Sequence, residues 1–444
     1  MRRGWPVLGP AWRGALAIAV TAVVYAGAVG VGRALVRQGY GLNLGSAVPL
    51  SGKLDVRLSG RTLLPVVVAI LAVVLLPVVA ARLPWRWLLG VSAVAAAVWA
   101  VSLALVDGVT RLSSPIATEA EYLANVPNVD GVRDFLSGFT DHIVIVVGSG
   151  QFHWVTHVSG HPPGALLSFV ALDRIGLGGP GWAAALCIAA GASSAAAALV
   201  TLRAVAGELV ARRAAPFLST APAAIWIATS ADAWFLGVSS WGIALLALAA
   251  GRQAGRHGRG GDLLAAGGGL LLGFSLFLSY GLVLLAPVAL AAVLARRRVR
   301  PLIVGALAVV LVTVAFAAWG FWWLDGLNQT RIRYDQGSAA ARPYLYFLVT
   351  NLAVLGLAIG PAGVAALARL RRGALAWLPL AGLLGVLIAD LSGLSKSEVE
   401  RIWLPWTPWL LAATAVLPVA HRRWWLAAQL AVGLVVQTVV RANW

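Results

Sequence analysis

The sequence predicts an all-α, polytopic membrane protein with about thirteen transmembrane helices. Three observations carry the prediction. Hydrophobic residues fill 60% of the 444 positions, charged residues only 11%, and the mean hydropathy is +0.86. That balance excludes an ordinary soluble domain. Apolar runs of roughly 17–25 residues, the length that crosses a bilayer core as a helix, recur along the chain. Arginines gather at alternate ends of those runs, as the positive-inside rule expects.

The elements follow in order. The first apolar run, near residues 14–36, is too long for a signal-peptide core and lacks a cleavage site, so it reads as a retained span. Further spans fall near residues 62–80, 87–106, 181–203, 215–230, 234–250, 263–279, 281–295, 301–323, 344–368, 374–390, 403–420 and 424–441. Nothing between them is long enough to fold alone, so residues 1–444 form one membrane domain. The single cysteine, Cys187, lies in an apolar run and can form no internal disulfide.

With the N-terminus in the cytoplasm, every inside segment is basic. The inside arginines are Arg2, Arg3 and Arg13; Arg82 and Arg86; Arg203, Arg212 and Arg213; and Arg252, Arg256 and Arg259. Arg296, Arg297, Arg298 and Arg300 follow, then Arg369, Arg371 and Arg372, then Arg422 and Arg423. This alternation requires residues 165–175 not to cross. Asp173 and Arg174 break that short run, which reads as a helix lying at the outer interface. The net charge of +18 is therefore a topology signal rather than a nucleic-acid signature. Only Lys53 and Lys396 are lysines, and the bias towards Arg, Ala, Gly and Val points to a GC-rich bacterial genome. Together these place the chain in a bacterial cell membrane.

Carboxylates separate more sharply than arginines. Only Glu208 and Asp262 fall inside, and the other fourteen lie outside or at outer span ends. Acidic residues contribute little to orientation, so this gathering suggests a site on the outer face. The large outer loop, residues 107–164, opens on Asp107 at the end of a span. Residues 118–126 read as a short amphipathic helix carrying Glu119, Glu121 and Tyr122. His161-Pro162-Pro163-Gly164 forms a stiff turn into the interface helix, because Pro162 fixes its own φ and keeps His161 extended. A short turn brings Asp232 to the boundary. The outer loop at residues 324–343 carries Arg331, Arg333, Tyr334 and Arg342, and guanidinium forks match phosphate oxygens. Pairing with Asp325 and Asp335 in the same loop explains those arginines equally well. The last outer loop, residues 391–402, crowds Lys396, Glu398, Glu400 and Arg401 beside Asp390 at the entry to an apolar span.

His153, His157 and His161 stand four residues apart, a spacing that invites a metal reading. Gly160 and the two prolines interrupt a continuous helix, so no metal ligand is assigned and a divalent metal is left open. No phosphate-cradling or dinucleotide-binding glycine motif is present. Outer-face chemistry in bacteria has no access to cytosolic nucleotide sugars. A polyprenyl-phosphate sugar supplies an activated donor there; it asks for a carboxylate base and for cations at the leaving phosphate.

The order of an outer-loop Asp, an acidic-Tyr pair (Glu121-Tyr122), HPPG before an interface helix and a span ending in arginines resembles the type C glycosyltransferase superfamily (GT-C), over about residues 87–250. Two spans precede the Asp107 span, where many members have none, and Asp107 is followed by Gly108 instead of a second carboxylate. Either Asp107 or Glu121 could then match the family's catalytic carboxylate. The strings GHPPG, TSADAWF, SYG, ARPY and SKSEVERIW also resemble methylthioxylose transferase-like proteins of high-GC bacteria. The resemblance implies transfer of a sugar, even a methylthioxylose onto a mannoside, from a polyprenyl-phosphate donor to an envelope glycan or glycolipid acceptor. Asp107 is the first expectation for the catalytic base, with Glu121 second. Tyr122, His157, His161 and Asp232 would shape the substrate site, together with Glu398 and Glu400. Arg331, Arg333, Tyr334, Arg342, Lys396 and Arg401 would line it on the phosphate side. The rivals are a lipid or small-molecule transporter or flippase, and a non-catalytic assembly partner.

Overall fold

A computed structural model describes residues 10–251 and 258–442. Arg2, Arg3, Arg252 and Arg256 lie outside the described residues. The chain is almost entirely helical. Among the described residues the strands are Gly52–Leu54 and Val440–Ala442, which pair antiparallel with Lys53 opposite Arg441. This ribbon ties the first interhelical loop to the end of the chain.

Among the described residues, eight helices are long and apolar enough to cross a membrane: Trp12–Arg37, Gly60–Arg82, Trp85–Asp107, Pro180–Ala206, Ala231–Gly251, Arg300–Ala318, Tyr344–Ala368 and Ala374–Leu391. Two shorter apolar helices, Gly260–Leu276 and Tyr280–Leu294, accompany them. The chain is thus a membrane-embedded helical protein. Burial sorts the eight. The Pro180–Ala206 and Ala231–Gly251 windows are 67% and 78% buried, whereas Trp12–Arg37 and Arg300–Ala318 are only 11% buried. The first pair is the centre of the bundle and the second pair lies at its periphery. Small residues allow the central contact: a Cβ added at Gly237 would come within 2.6 Å of the Ala190 carbonyl. Such close backbone approach drives helix association where lipid offers no hydrophobic gain.

Three of the thirteen expected spans fall outside these ten helices. Residues 215–230 are not one continuous helix. The Glu208–Leu218 helix carries Pro216, and a 3-10 turn at Pro222–Trp226 follows it. Proline removes a backbone donor and clashes with the preceding turn. Residues 214–233 are nevertheless buried without interruption, so the irregular backbone is shielded by protein, the one setting in which a membrane protein tolerates it. Residues 403–420 are likewise broken into 3-10 and α turns around Pro405, Pro408 and Pro418, with Trp403, Trp406 and Trp409 fully buried. The last helix, Arg422–Val439, starts on two arginines, and it is not among the eight.

Basic span ends meet at one end of the bundle. Arg212 bonds Glu208 and the carbonyls of Ala80 and Leu83, Arg296 bonds the Ala204 carbonyl, and Arg300 grips Asp262. Arg369 stacks over Trp425 at 5.2 Å.

Candidate functional site

Local chain geometry brings Glu121 and His157 together. The expected amphipathic helix over residues 118–126 is instead a 3-10 helix, Tyr122–Asn128, containing Pro127. Glu121 is its N-cap, in extended conformation, and its side chain makes no capping bond. The carboxyl is therefore free to turn inward, while Glu119 two residues earlier is exposed. Two bonds then fix the facing segment. The Val155 N–H donates to Asn125 Oδ1 at 3.0 Å, and the His157 N–H donates to the Ala120 carbonyl at 3.0 Å. His157 Nε2 consequently lies 3.5 Å from Glu121 Oε1. His161 Nδ1 lies 2.8 Å from the His157 carbonyl. Because a carbonyl only accepts, Nδ1 carries the proton, which leaves Nε2 of neutral His161 as an acceptor.

The HPPG turn starts the Gly164–Arg174 helix, with Pro163 as its N-cap. Gly164 is required by close approach, since an added Cβ would stand 2.6 Å from the Phe277 carbonyl. This helix supplies Phe169, which stacks on Tyr122 at 5.5 Å. Phe235 closes the other side, edge-on to Tyr122 at 6.5 Å and 5.6 Å from His161. Phe169 and Phe235 were not foreseen. Phe235 lies within the TSADAWF string, three residues after Asp232, and a helical reading of that string would have placed both on one face.

Asp232 sits in the first turn of the Ala231–Gly251 helix, where the helix dipole favours a carboxylate. Its Oδ2 accepts from Arg401 NH1 at 3.0 Å, and both side chains are almost fully buried. Arg401 NH2 also reaches Glu398 Oε2 at 3.4 Å. Arg401 belongs to the short helix Val399–Ile402, entered through Ser397 and Glu398, whose φ values are +88° and +60°. Two consecutive non-glycine residues in the left-handed region cost on the order of 1–3 kcal/mol each and recur at ligand sites.

Burial sets the electrostatics. It pushes the Glu121 carboxyl up to about 7; Arg401 opposes the shift, while Asp232 and Glu398 add to it. Burial pushes His157 well below its ordinary value, helped by Arg401 and His161. His161 is lowered by burial, partly offset by Asp232. Burial drives the Tyr122 phenol well up. It also works against the Arg401 charge, but Asp232, Glu398 and Glu121 outweigh it, and the guanidinium is held more firmly protonated than usual. The group is a buried cation braced by carboxylates beside an acid that binds a proton near neutrality and two neutral imidazoles.

Seven of the expected residues thus meet: Glu121, Tyr122, His157, His161, Asp232, Glu398 and Arg401. The others do not join them directly. Asp107 pairs with Arg57, accepts from Gln437 Nε2 at 3.1 Å, and borders a void of about 10 Å³ that admits no more than a water. Glu400 turns to the other side of its short helix, accepts from the Ser51 N–H at 3.3 Å, and is pushed up to about 7 by burial. Arg342 donates to the carbonyls of Leu42 and Lys396, and Lys396 Nζ donates to the Ala340 carbonyl, so both tie loops together. Tyr334 lies 6.0 Å below the Lys396 ammonium. Arg331 is exposed. Arg333 lies one helical turn beyond Thr330, whose hydroxyl donates to the Ser159 carbonyl beside the two histidines. Its buried Nε has no hydrogen-bond partner among the described residues. No group of three or more metal-ligating side chains occurs among the described residues.

A pH dependence of stability follows. Glu121 and Glu400 release protons near 4.5 when unfolded but hold them up to about 7 when folded. Stability from these raised values is complete below 4.5 and is lost as pH rises towards 7. Melting in detergent between about pH 5 and about pH 8 is expected to show a falling midpoint, and Glu121→Gln or Glu400→Gln is expected to flatten it.

No family model, curated protein or solved structure matches the chain.

Proposed function

We propose that the protein is a glycosyltransferase of the GT-C type, transferring a sugar from a polyprenyl-phosphate donor to an envelope glycan or glycolipid on the outer face of a bacterial membrane. The observation that carries the reading is Glu121: a buried carboxyl with Oε2 free of hydrogen bonds and a proton affinity near neutrality. A general base works best at such a value. In this reading the Glu121 carboxylate removes the proton from the acceptor hydroxyl as that oxygen attacks the anomeric carbon. The bond to the phosphate oxygen breaks, and the polyprenyl phosphate leaves with its electron pair. Arg333, with an unpaired Nε, and the exposed Arg331 would meet that charge. His161, Tyr122 and Asp232 would shape the sugar site. A methylthioxylose on a mannoside is the specific donor–acceptor pair to try first, on the strength of the sequence resemblance.

The same reading assigns thirteen crossings. The eight long helices and two shorter apolar ones account for ten; residues 215–230, 403–420 and 424–441 account for three more. An odd number puts the two termini on opposite sides; with the basic ends in the cytoplasm by the positive-inside rule, the N-terminus lies inside and the carboxylate cluster outside, and the gathering of Arg212, Arg296 and Arg300 at one end supports this.

A charge-assisted bond from Arg333 to phosphate is worth about 1.5–3 kcal/mol. Arg333→Gln is therefore expected to raise the donor KM by roughly 10- to 100-fold, with a smaller change for Arg331→Gln. Steady-state transfer with purified protein checks this; an unchanged KM in Arg333→Gln would remove Arg333 from the donor site.

One observation favours a second reading. A buried carboxyl that binds a proton near neutrality beside an ion pair also suits proton-coupled transport. Substrate flux into vesicles without any glycosidic bond formed would select that reading.

A further inference from the structure

We propose that His157 is the positioning residue of Glu121: its Nε2–H holds Oε1, so that Oε2 is the oxygen offered to the ligand's hydroxyl. The inference rests on the reading of Glu121 as the working acid–base group. Its basis is geometric. His157 is fixed on three sides. Its N–H is bonded to Ala120, its carbonyl is engaged by His161 Nδ1, and its ring lies 6.3 Å from that of Tyr122. Ala120 precedes Glu121 directly, so the imidazole and the carboxyl are referenced to the same piece of backbone. The two Glu121 oxygens then differ: Oε1 faces Nε2 at 3.5 Å, and buried Oε2 has no side-chain or backbone hydrogen-bond partner within bonding geometry among the described residues. A contact of 3.5 Å is long for a hydrogen bond, and unliganded sites often tighten such contacts on binding.

The Tyr122 N–H also favours the carboxylate, but the other side chains near Glu121 do not take this role. Arg401 is engaged by Asp232 and Glu398. Asp232 and Glu398 are anions and repel a carboxylate. His161 Nδ1 is committed to the His157 carbonyl. Low proton affinity keeps His157 neutral, so it donates without adding a charge. A neutral donor favours the ionised carboxylate over the acid. Its removal is therefore predicted to make Glu121 bind its proton more tightly.

The test follows the Glu121 carboxyl itself. Infrared titration of membrane samples reads the carbonyl stretch of the protonated acid, and subtraction of Glu121→Gln assigns it. His157→Leu, or His157→Met where the leucine variant does not fold, is expected to raise the half-ionisation pH of Glu121 by about one unit. His157→Gln, which keeps an N–H near the Nε2 position, is expected to restore most of the wild-type value. Where transfer is measured, its rise with pH moves by the same amount. A midpoint that stays put or falls in a folded donor-free variant overturns the proposal. A raised midpoint in protein that transfers no sugar upholds His157 as the positioning residue and removes the glycosyltransferase reading alone.

Discussion

Glu121→Gln is expected to lower sugar transfer by about 10²–10⁴-fold, the usual contribution of a positioned general base. The substitution conserves shape and removes only the ability to take a proton. Glu121 is buried to 3% exposure, so water cannot readily replace it as base. Asp107→Asn is the informative comparison. Asp107 is engaged by Arg57 and Gln437, and Arg57 also bonds the Val440 carbonyl, so this group ties the first loop to the final strand. The asparagine variant is expected to melt earlier yet to keep most of its transfer rate per folded molecule. Initial rates normalised to folded protein separate the two. Equal losses in both variants would return Asp107 to the chemistry.

The second large effect falls on the Arg401–Asp232 pair. Either partner removed alone leaves a buried, uncompensated charge, which costs about 3–5 kcal/mol. Arg401→Gln should be the harsher change, because it strands Asp232, Glu398 and Glu121 together. The double variant Asp232→Asn with Arg401→Gln is expected to be less destabilised than the sum of the single changes, since neither charge is then left alone. Thermal midpoints of the four proteins in one detergent measure this. Additive losses would mean that the two side chains do not interact in the folded protein.

Long apolar runs made most helices legible in the sequence, because crossing a bilayer imposes a length. Residues 234–250 and 344–368 match helices closely for that reason. The segments around Pro216, Pro222, Pro405 and Pro408 are equally apolar, but their composition reports burial in protein rather than a regular helix. Hydropathy alone does not tell one from the other. Much of the site was legible too. Glu121, His157 and His161 stood out as polar residues of the large outer loop, and Asp232 and Arg401 as charges at span ends, and they meet in space. The position of Asp107 was not legible. Its partners lie fifty residues earlier, at Arg57, and more than three hundred later, at Gln437, and nothing local announces them. Lys396 and Arg342 read as ligand cations from charge alone, whereas carbonyls of neighbouring loops occupy them.

The most direct test of the account is transfer by purified protein reconstituted in liposomes, with a polyprenyl-phosphate sugar as donor and a mannoside as acceptor supplied on one side. Wild-type protein is predicted to form a glycosidic bond at the face bearing Glu121, and the Glu121→Gln protein to form almost none. Donor or acceptor crossing the bilayer with no bond formed, unchanged in kind by Glu121→Gln, would contradict it.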